Sequence, residues 1–299
     1  MPALRRVLQA TVLIAVLLTN NLYSIAQITT TASSRPENWS KPYEPFRIAG
    51  NLYYVGTDEL GCFLITTPRG HILINTGAPG SAPLIYSSVQ ALGFKFSDIK
   101  ILLATHAHLD HVGGMAEIKK ITGAKMMIDA ADAPVLADGG NSDYEFGGKG
   151  SLFEPVKADS LLHDHDTIKF GGMQLIMLHH PGHTKGACSF LFDVKDEHRT
   201  YRVLIANMPT VLDEAKLPGM PTYPNVGKDY AYTLKAMKNL KFDIWVASHA
   251  SQFGLHEKHK PGTAYRPEAF HDQKGYGLMI DDLQKDYLKR LKASEKIDK

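Results

Sequence analysis

Three histidines and an aspartate, His106, His108, Asp110 and His111, lie in one short segment of this chain. Imidazole nitrogens and carboxylate oxygens are the donors that a borderline divalent ion such as zinc prefers. The segment follows residues 99–104, an apolar run typical of a buried strand. We expect His106 and His108, in the loop after that strand, to converge on one ion. Asp110 and His111, in the first turn of a following helix, should face a second.

Two further histidines follow segments that resemble strands. A catalytic zinc needs about three protein ligands and an open position, so additional donors must come from elsewhere in the chain. His183 stands in a Pro-Gly-His sequence after residues 173–178, and His249 ends the apolar segment 242–249. A lone histidine at a strand end is more commonly a polar residue with satisfied hydrogen bonds than a ligand. The dense cluster upstream favours the ligand interpretation here.

At these residues the chain resembles the metallo-β-lactamase superfamily, whose signature is His-x-His-x-Asp-His followed by a distant Gly-His and a final His. From Tyr43 onward it is similar to the B3 subclass, especially to the GOB-type branch, at residues 43–56, 139–140, 142–145, 179–186, 201–209 and 247–253. The resemblance implies an α/β fold, the four-layer αβ/βα sandwich, with zinc at one edge of the paired sheets. It also implies hydrolysis of β-lactam antibiotics, and hence antibiotic resistance.

The resemblance further implies two Zn²⁺ ions per chain and the residues that hold them. The first zinc would be held by His106, His108 and His183, and the second by Asp110, His111 and His249. A hydroxide formed at the zincs would attack the lactam carbonyl of penicillins, cephalosporins and carbapenems, with Asp110 orienting it as well as binding metal. Thr210 matches a position where B3 enzymes have Ser or Thr facing the substrate carboxylate. Alternatively, it caps local backbone.

The chain departs from the family pattern at several positions. GOB-type enzymes commonly have Gln where this chain has His106, so the full first site is restored. The strand-end Asp-Thr-Gly of many members is Asn75-Thr76-Gly77 here, which removes or replaces a carboxylate that would orient a ligand. The paired cysteines near the C-terminus of several B3 enzymes are absent. A tyrosine that some B3 enzymes offer to the oxyanion has no counterpart between Thr210 and Leu217.

Three other functions compete with β-lactam hydrolysis. Thioesterases and lactonases of the superfamily have a metal-bridging Asp after a later strand, whereas residues 201–206 are followed by Asn207-Met208. A thioether cannot replace a bridging carboxylate between hard ions. Redox diiron members usually have Glu where His108 stands. A zinc-binding module without catalysis would not need a complete ligand set with an open face.

The first 26 residues predict a secretory signal. Arg5 and Arg6 precede the apolar residues 7–18, and Ser24-Ile25-Ala26 provides small residues before a cleavage point after Ala26. A membrane anchor would need roughly 20 apolar residues, so we expect export to the periplasm without a stable anchor. The chain has 33 Lys and Arg against 31 Asp and Glu, and removing the two arginines balances the charge. Nothing in this balance indicates a nucleic-acid partner.

Residues 27–41 are expected to be a flexible segment, and residues 42–299 one domain of a monomer that acts on small-molecule β-lactams. Cys62 and Cys188 lie in apolar runs, which favours buried free thiols, although a disulfide stays possible on sequence grounds. Strands are predicted at residues 52–55, 63–66, 71–74, 99–104, 167–170, 173–178, 189–193, 202–206 and 242–246, and helices at 82–92 and 229–240. Leu283, Tyr287 and Leu291 predict a C-terminal helix packed on the body.

Overall fold

Two β-sheets organise the part of the chain that the structure, a computed structural model, describes, which is residues 35–297. The first sheet has its strands in chain order: β1 (Phe46–Ala49), β2 (Leu52–Tyr54), β3 (Phe63–Thr67), β4 (Gly70–Ile74), β5 (Ile99–Leu103), β6 (Lys125–Asp129) and β7 (Ser160–Leu162). Strands β1 to β4 pair antiparallel, and β4 to β7 pair parallel.

The second sheet has the order β12-β11-β10-β9-β8. Its strands are β8 (Thr167–Phe170), β9 (Met173–His179), β10 (Cys188–Lys195), β11 (Thr200–Ala206) and β12 (Ile244–Ala247). All neighbours are antiparallel except β11 and β12, which run parallel. The ends of β9, β11 and β12 and the start of β10 therefore lie at one edge of this sheet.

Helices cover the outer face of each sheet. The α-helices are α1 (Ala82–Ala91), α2 (Leu109–Val112), α3 (Met115–Thr122), α4 (Ala133–Ala137), α5 (Val226–Lys238), α6 (Leu255–Lys258) and α7 (Gln273–Ile297). Short 3-10 helices lie at Glu37–Trp39, Phe96–Asp98, Ser251–Phe253 and Pro267–Phe270. Helices α1 and α3 pack on the first sheet, while α5 and α7 pack together against the second. The expected αβ/βα sandwich is thereby confirmed.

The two-residue period of the central strands creates the two cores of the sandwich. In β3, Phe63 and Ile65 belong to the core that the two sheets share, and Leu64 belongs to the core under α1 and α3. In β4, Ile74 faces the shared core and Leu73 the helical one. A strand buried on both faces reads as a continuous apolar run, which is why β3, β4 and β5 were predictable from sequence.

Most predicted elements are confirmed with small shifts at their ends. The strands β1, β6 and β7 and the helices α3, α4 and α6 had no counterpart among the predictions. Tyr287 on α7 is buried, with Leu283 and Leu291 half-buried against the shared core, so the C-terminal stripe packs on the body as expected. Cys62 and Cys188 are buried free thiols, as expected.

The predicted signal, residues 1–26, lies outside the described residues. Part of the segment predicted to be flexible is described, and it contains the 3-10 helix Glu37–Trp39. From Asn38 onward the described chain belongs to one compact unit. Between residues 35 and 297, no helix has both the length and the apolar character that crossing a bilayer requires.

Candidate metal centre

Hydrogen bonds at one edge of the sandwich link the loops that carry the predicted ligands. The carbonyl of Thr105, just after β5, accepts a hydrogen bond from the Cys188 amide at the start of β10 (2.8 Å). The Thr105 hydroxyl lies 2.9 Å from the Ser248 hydroxyl, just after β12. Thr105 precedes His106 and Ser248 precedes His249, so these bonds connect the two sheets at the residues next to the ligands.

The first cluster consists of His106, His108 and His183. One ring nitrogen from each lies within 4.8 Å of the others. The ring centroids are 4.7 Å apart for His106 and His108, 4.7 Å for His106 and His183, and 4.9 Å for His108 and His183. The structure therefore brings together the three histidines that the resemblance assigned to the first zinc.

The second cluster is centred on Asp110. Its Oδ2 lies 3.1 Å from His111 Nε2 and 3.3 Å from His249 Nε2. Ligand atoms of Asp110, His111 and His106 also lie within 4.8 Å of one another, so His106 stands between the two clusters and His249 on the outer side of the second. All the residues predicted to bind metal thus lie together in the fold.

Some ring nitrogens in these clusters lack a protein hydrogen-bond partner and are free to coordinate a metal ion. His106 Nε2 and His111 Nδ1 are buried without a hydrogen-bond partner. Such buried, unpaired nitrogens are costly unless something coordinates them. Burial lowers the pKa of His106 well below its usual range and lowers that of His183 to about 3. These two imidazoles are therefore neutral, which is the form that binds zinc.

Three partners orient the ligand histidines through the ring nitrogen that faces away from the centre. His183 Nδ1 donates to the carbonyl of Thr210 (2.9 Å), and His108 Nε2 lies 3.2 Å from Asp143 Oδ2. His249 Nδ1 lies 3.4 Å from Glu59 Oε1. Burial lowers the pKa of His249, but hydrogen bonds to Asp110 and Glu59 outweigh burial and raise it to about 9. That shift reflects a negative potential that would also attract a cation.

The buried carboxylate of Asp132 connects the loop that carries His106 and His108 to the loop that carries His183. Its Oδ2 accepts from the Ala107 amide (2.8 Å) and the Thr184 hydroxyl (2.7 Å), and its Oδ1 accepts from the Gly186 amide (2.7 Å). Asp132 occupies the N-cap position of α4 but makes no capping hydrogen bond with its side chain. Sequence reasoning did not single it out, since an Asp before a short helix ordinarily indicates a cap.

Asn75 compensates for the carboxylate that the sequence lacks at this position. Its Oδ1 accepts from the Thr105 amide at 2.9 Å, and its backbone has φ 62°. Asparagine tolerates this left-handed conformation better than most residues do. The amide oxygen therefore fixes the backbone directly before His106 without adding a negative charge.

An apolar cleft of about 350 Å³ opens over the clusters. Trp39 forms one wall, with its ring centroid 6.3 Å from that of His249. Phe146 forms another, 5.1 Å from the ring of His108, and Leu212 also lines the space. A concave, mostly apolar site with a few convergent polar groups is typical of small-molecule binding.

Two residues near β11 bear on the competing functions. Thr210 Oγ1 lies 3.1 Å from His183 Nδ1, beside the ligand that its own carbonyl orients. Its predicted contact with substrate stays a prediction. Met208, where the rival hydrolases carry a bridging Asp, is buried in the core shared by the sheets.

Comparison with known proteins gives long matches to solved structures. A sequence model of the metallo-β-lactamase superfamily matches residues 62–196. A β-lactamase from Chitinophaga pinensis is 63% identical, with a TM-score of 0.87 over 88% of this chain and 99% of that one. The class B3 di-zinc metallo-β-lactamase LRA-12 from an Alaskan soil metagenome is 64% identical, with a TM-score of 0.85 over 88% of this chain and 98% of that one. GOB-18 from Elizabethkingia meningoseptica is 54% identical, with a TM-score of 0.87 over 90% and 99% of the two chains.

Curated relatives match over a shorter region. A hydroxyacylglutathione hydrolase from Rhodopseudomonas palustris is 33% identical over 137 residues, which is 46% of this chain and 44% of the relative. The chain thus spans less than half the length of that relative. The solved structures named above match over nearly their whole chains, and they agree with the fold described above. The chain therefore belongs to the metallo-β-lactamase superfamily, and within it to the B3 subclass of hydrolases.

Proposed function

We propose that this protein hydrolyses the amide bond of penicillins, cephalosporins and carbapenems with two zinc ions per chain. The observation that carries the proposal is the pair of ligand clusters sharing His106 at the floor of an apolar cleft. Similarity to three solved β-lactamases, two of them metallo-β-lactamases, over nearly their whole length supports it. We assign His106, His108 and His183 to one zinc, and Asp110, His111 and His249 to the other.

The chemistry divides between the ions and the residues around them. Zinc at such a site polarises a carbonyl oxygen and lowers the pKa of water from 15.7 towards about 7. Burial raises the pKa of Asp110, but His111 and His249 outweigh burial and hold it well below its usual range. An ionised Asp110 can accept a hydrogen bond from the attacking water through the oxygen that binds no metal, which orients the attack.

The walls of the cleft position the substrate over these groups. Trp39 and Phe146 offer aromatic faces on either side, which suits the rings of a bicyclic β-lactam. Thr210, beside His183, would contact the carboxylate of the fused ring system if its hydroxyl turns toward the cleft. Its carbonyl would keep its role as the partner of His183 in either case.

The second candidate function is thioester hydrolysis, which the curated hydroxyacylglutathione hydrolases make worth testing. Those enzymes resemble one another in a carboxylate that bridges two metals after the later strand. This chain has Met208 there, buried among apolar side chains, and a thioether is a poor bridge between hard ions. This residue favours β-lactam hydrolysis.

A substrate panel tests the proposal. Purified mature protein would be offered a carbapenem, a cephalosporin, a lactone and a glutathione thioester, each with and without a chelator. We expect chelator-sensitive opening of the carbapenem and hardly any thioester cleavage. Efficient thioester hydrolysis without lactam turnover would overturn the proposal. Production in a susceptible bacterial host should raise its resistance to the hydrolysed drugs.

We also propose that the protein is exported to the periplasm as a monomer and that cleavage follows Ala26. The support is the charge and apolar pattern of residues 1–26. N-terminal sequencing of the periplasmic protein should begin at Gln27. Full-length protein retained in a membrane fraction would contradict this proposal.

A further inference from the structure

The cleft differs between its two ends. At one end Trp39 faces His249, which belongs to the second cluster. At the other end Phe146 faces His108, which belongs to the first cluster. Lys149 also lines the cleft, and it comes from the same loop as Phe146. The Phe146 end is therefore the one that a positive side chain can reach.

The backbone around Lys149 is held by a single residue on both sides. The Gly148 amide donates to the Asn141 carbonyl (2.9 Å), and the Gly150 amide donates to Asn141 Oδ1 (2.9 Å). Gly148 and Gly150 have φ of 77° and 84°, a conformation that side-chain-bearing residues rarely adopt. A Cβ atom at either glycine would meet nothing within 4 Å, so backbone conformation rather than packing requires glycine there. The turn thus presents Lys149 at an open tip.

The same loop is tied to the metal centre. Asp143, two residues after Asn141, has its Oδ2 3.2 Å from His108 Nε2. Its Oδ1 accepts from the Phe146 amide (2.8 Å). Hydrogen bonds therefore connect His108 through Asp143 to Phe146, which precedes the loop tip, while Asn141 holds the tip itself on both sides. These bonds limit how far Lys149 can move from the first cluster.

Lys149 is the only lysine or arginine among the residues that line this cleft in the described part of the chain. The acidic groups of the cleft are engaged elsewhere: Asp110 lies against His111 and His249, and Asp143 against His108. Within residues 35–297, Lys149 has no carboxylate within ion-pair distance. It is a positive charge at the rim without a protein partner, so an anionic ligand group could pair with it at little desolvation cost.

A β-lactam carries its ring carboxylate and its acyl side chain on opposite sides of the lactam ring. A substrate whose carbonyl lies over the clusters and whose carboxylate lies toward Thr210 can therefore extend its acyl side chain toward the loop of Phe146 and Lys149. We propose that Lys149 is a specificity-determining residue that pairs with an anionic group on the acyl side chain of a β-lactam. This inference rests on the proposed function.

Two penicillins that differ only in this group provide the test. Carbenicillin carries a carboxylate on the acyl side chain, and benzylpenicillin has hydrogen at that position. The measurement is the ratio of kcat/KM for carbenicillin to kcat/KM for benzylpenicillin. We expect Lys149→Met to lower this ratio roughly fivefold, mainly through KM, which matches one exposed ion pair. Lys149→Glu should lower it further, and Lys149→Arg should restore it.

Controls separate recognition of the side chain from support of the loop. Lys157→Met removes an exposed lysine outside the cleft and should leave the ratio unchanged. The effect of Lys149→Met should shrink at high salt, since an exposed pair is screened. Zinc content should match the parent in every variant.

The outcomes distinguish failure of the role of Lys149 from failure of β-lactam hydrolysis itself. An unchanged ratio in Lys149→Met, or an equal loss on both penicillins, would overturn the role of Lys149 while leaving β-lactam hydrolysis standing. If the parent protein hydrolyses neither penicillin nor any other β-lactam, the proposed function itself fails.

Discussion

Asp132 offers the sharpest test of how the metal centre is built, because it touches neither metal nor substrate. Its carboxylate receives the Ala107 amide from one ligand loop and the Thr184 hydroxyl and Gly186 amide from the other. We predict that Asp132→Asn, which keeps the shape of the side chain, weakens both the fold and zinc binding.

The magnitude follows from the hydrogen bonds. Asparagine has one acceptor oxygen, so its NH₂ group must face either the Ala107 amide or the Gly186 amide. One buried backbone N–H is then left opposite another donor, and the remaining bonds lose the assistance of a full charge. Leaving a buried donor unpaired costs about 1 to 3 kcal/mol, and weakening charged hydrogen bonds adds to it. We therefore expect the free energy of unfolding to fall by about 2 to 4 kcal/mol, which corresponds to a drop in Tm of roughly 5 to 15 °C.

The assay compares parent and variant as metal-free proteins in urea, and then measures zinc affinity by competition with a chelator. Residues that orient ligands typically contribute about 10- to 100-fold to metal affinity, and we expect a loss in that range. Asp282→Asn, a change at an exposed carboxylate on α7 paired with Lys285, serves as the control and should alter neither quantity. Parent-like unfolding and zinc affinity in Asp132→Asn would refute the idea that this carboxylate holds the two loops together.

Three further predictions concern the ligands and their neighbours. His106→Gln should bind fewer than two zincs per chain by metal analysis, because an amide is a weaker zinc donor than an imidazole. It should still hydrolyse carbapenems better than His249→Ala, which has no donor at the changed position. Parent-like zinc binding in His106→Gln would exclude His106 as a ligand. Tyr230→Phe removes the hydroxyl that donates to the Thr210 carbonyl (3.0 Å). The free energy of unfolding measured in urea should fall by about 1 kcal/mol, and the first zinc should bind less tightly. Unchanged unfolding would count against that hydrogen bond. Burial lowers the pKa of His180 from 6.5 to about 4, so the folded protein holds this imidazole neutral. The unfolded chain binds a proton at His180 below pH 6.5, and the free energy of unfolding therefore falls by about 3 kcal/mol as the pH drops from 6.5 towards 4. Metal-free His180→Gln should lose less stability than the parent across that window, and equal losses would contradict the assignment.

The ligands were predictable because their signal is local. Residues 106–111 place four donors directly after an apolar run, and the strands before His183 and His249 are apolar as well. Strands buried on both faces end at a sheet edge, so donors that follow them converge there. The short strands escaped prediction for the opposite reason. Strand β7 (Ser160–Leu162) is too short to show a period, and β6 (Lys125–Asp129) begins with an exposed lysine and depends on its parallel partner β5.

The residues that orient the ligands were not predictable from spacing. Glu59 lies far from His249 in the chain, and Asp143 lies far from His108, so nothing local connects the members of either pair. A hydrogen bond between distant residues is a property of the folded chain and leaves no periodic pattern in the sequence. The role of Asp132 was also missed, because an aspartate directly before a helix is already explained as a helix cap.

Thr105 shows why the stability of the sandwich and the geometry of the metal centre are coupled. Its carbonyl and hydroxyl contact Cys188 and Ser248 in the second sheet, while its amide donates to Asn75 after β4 of the first. Thr105 comes directly before His106, and Ser248 directly before His249. The bonds that join the sheets therefore also set the distance between the loops that supply the two clusters. A metal ion that draws these loops together stabilises the contact between the sheets, since binding to the folded state alone shifts the folding equilibrium toward it.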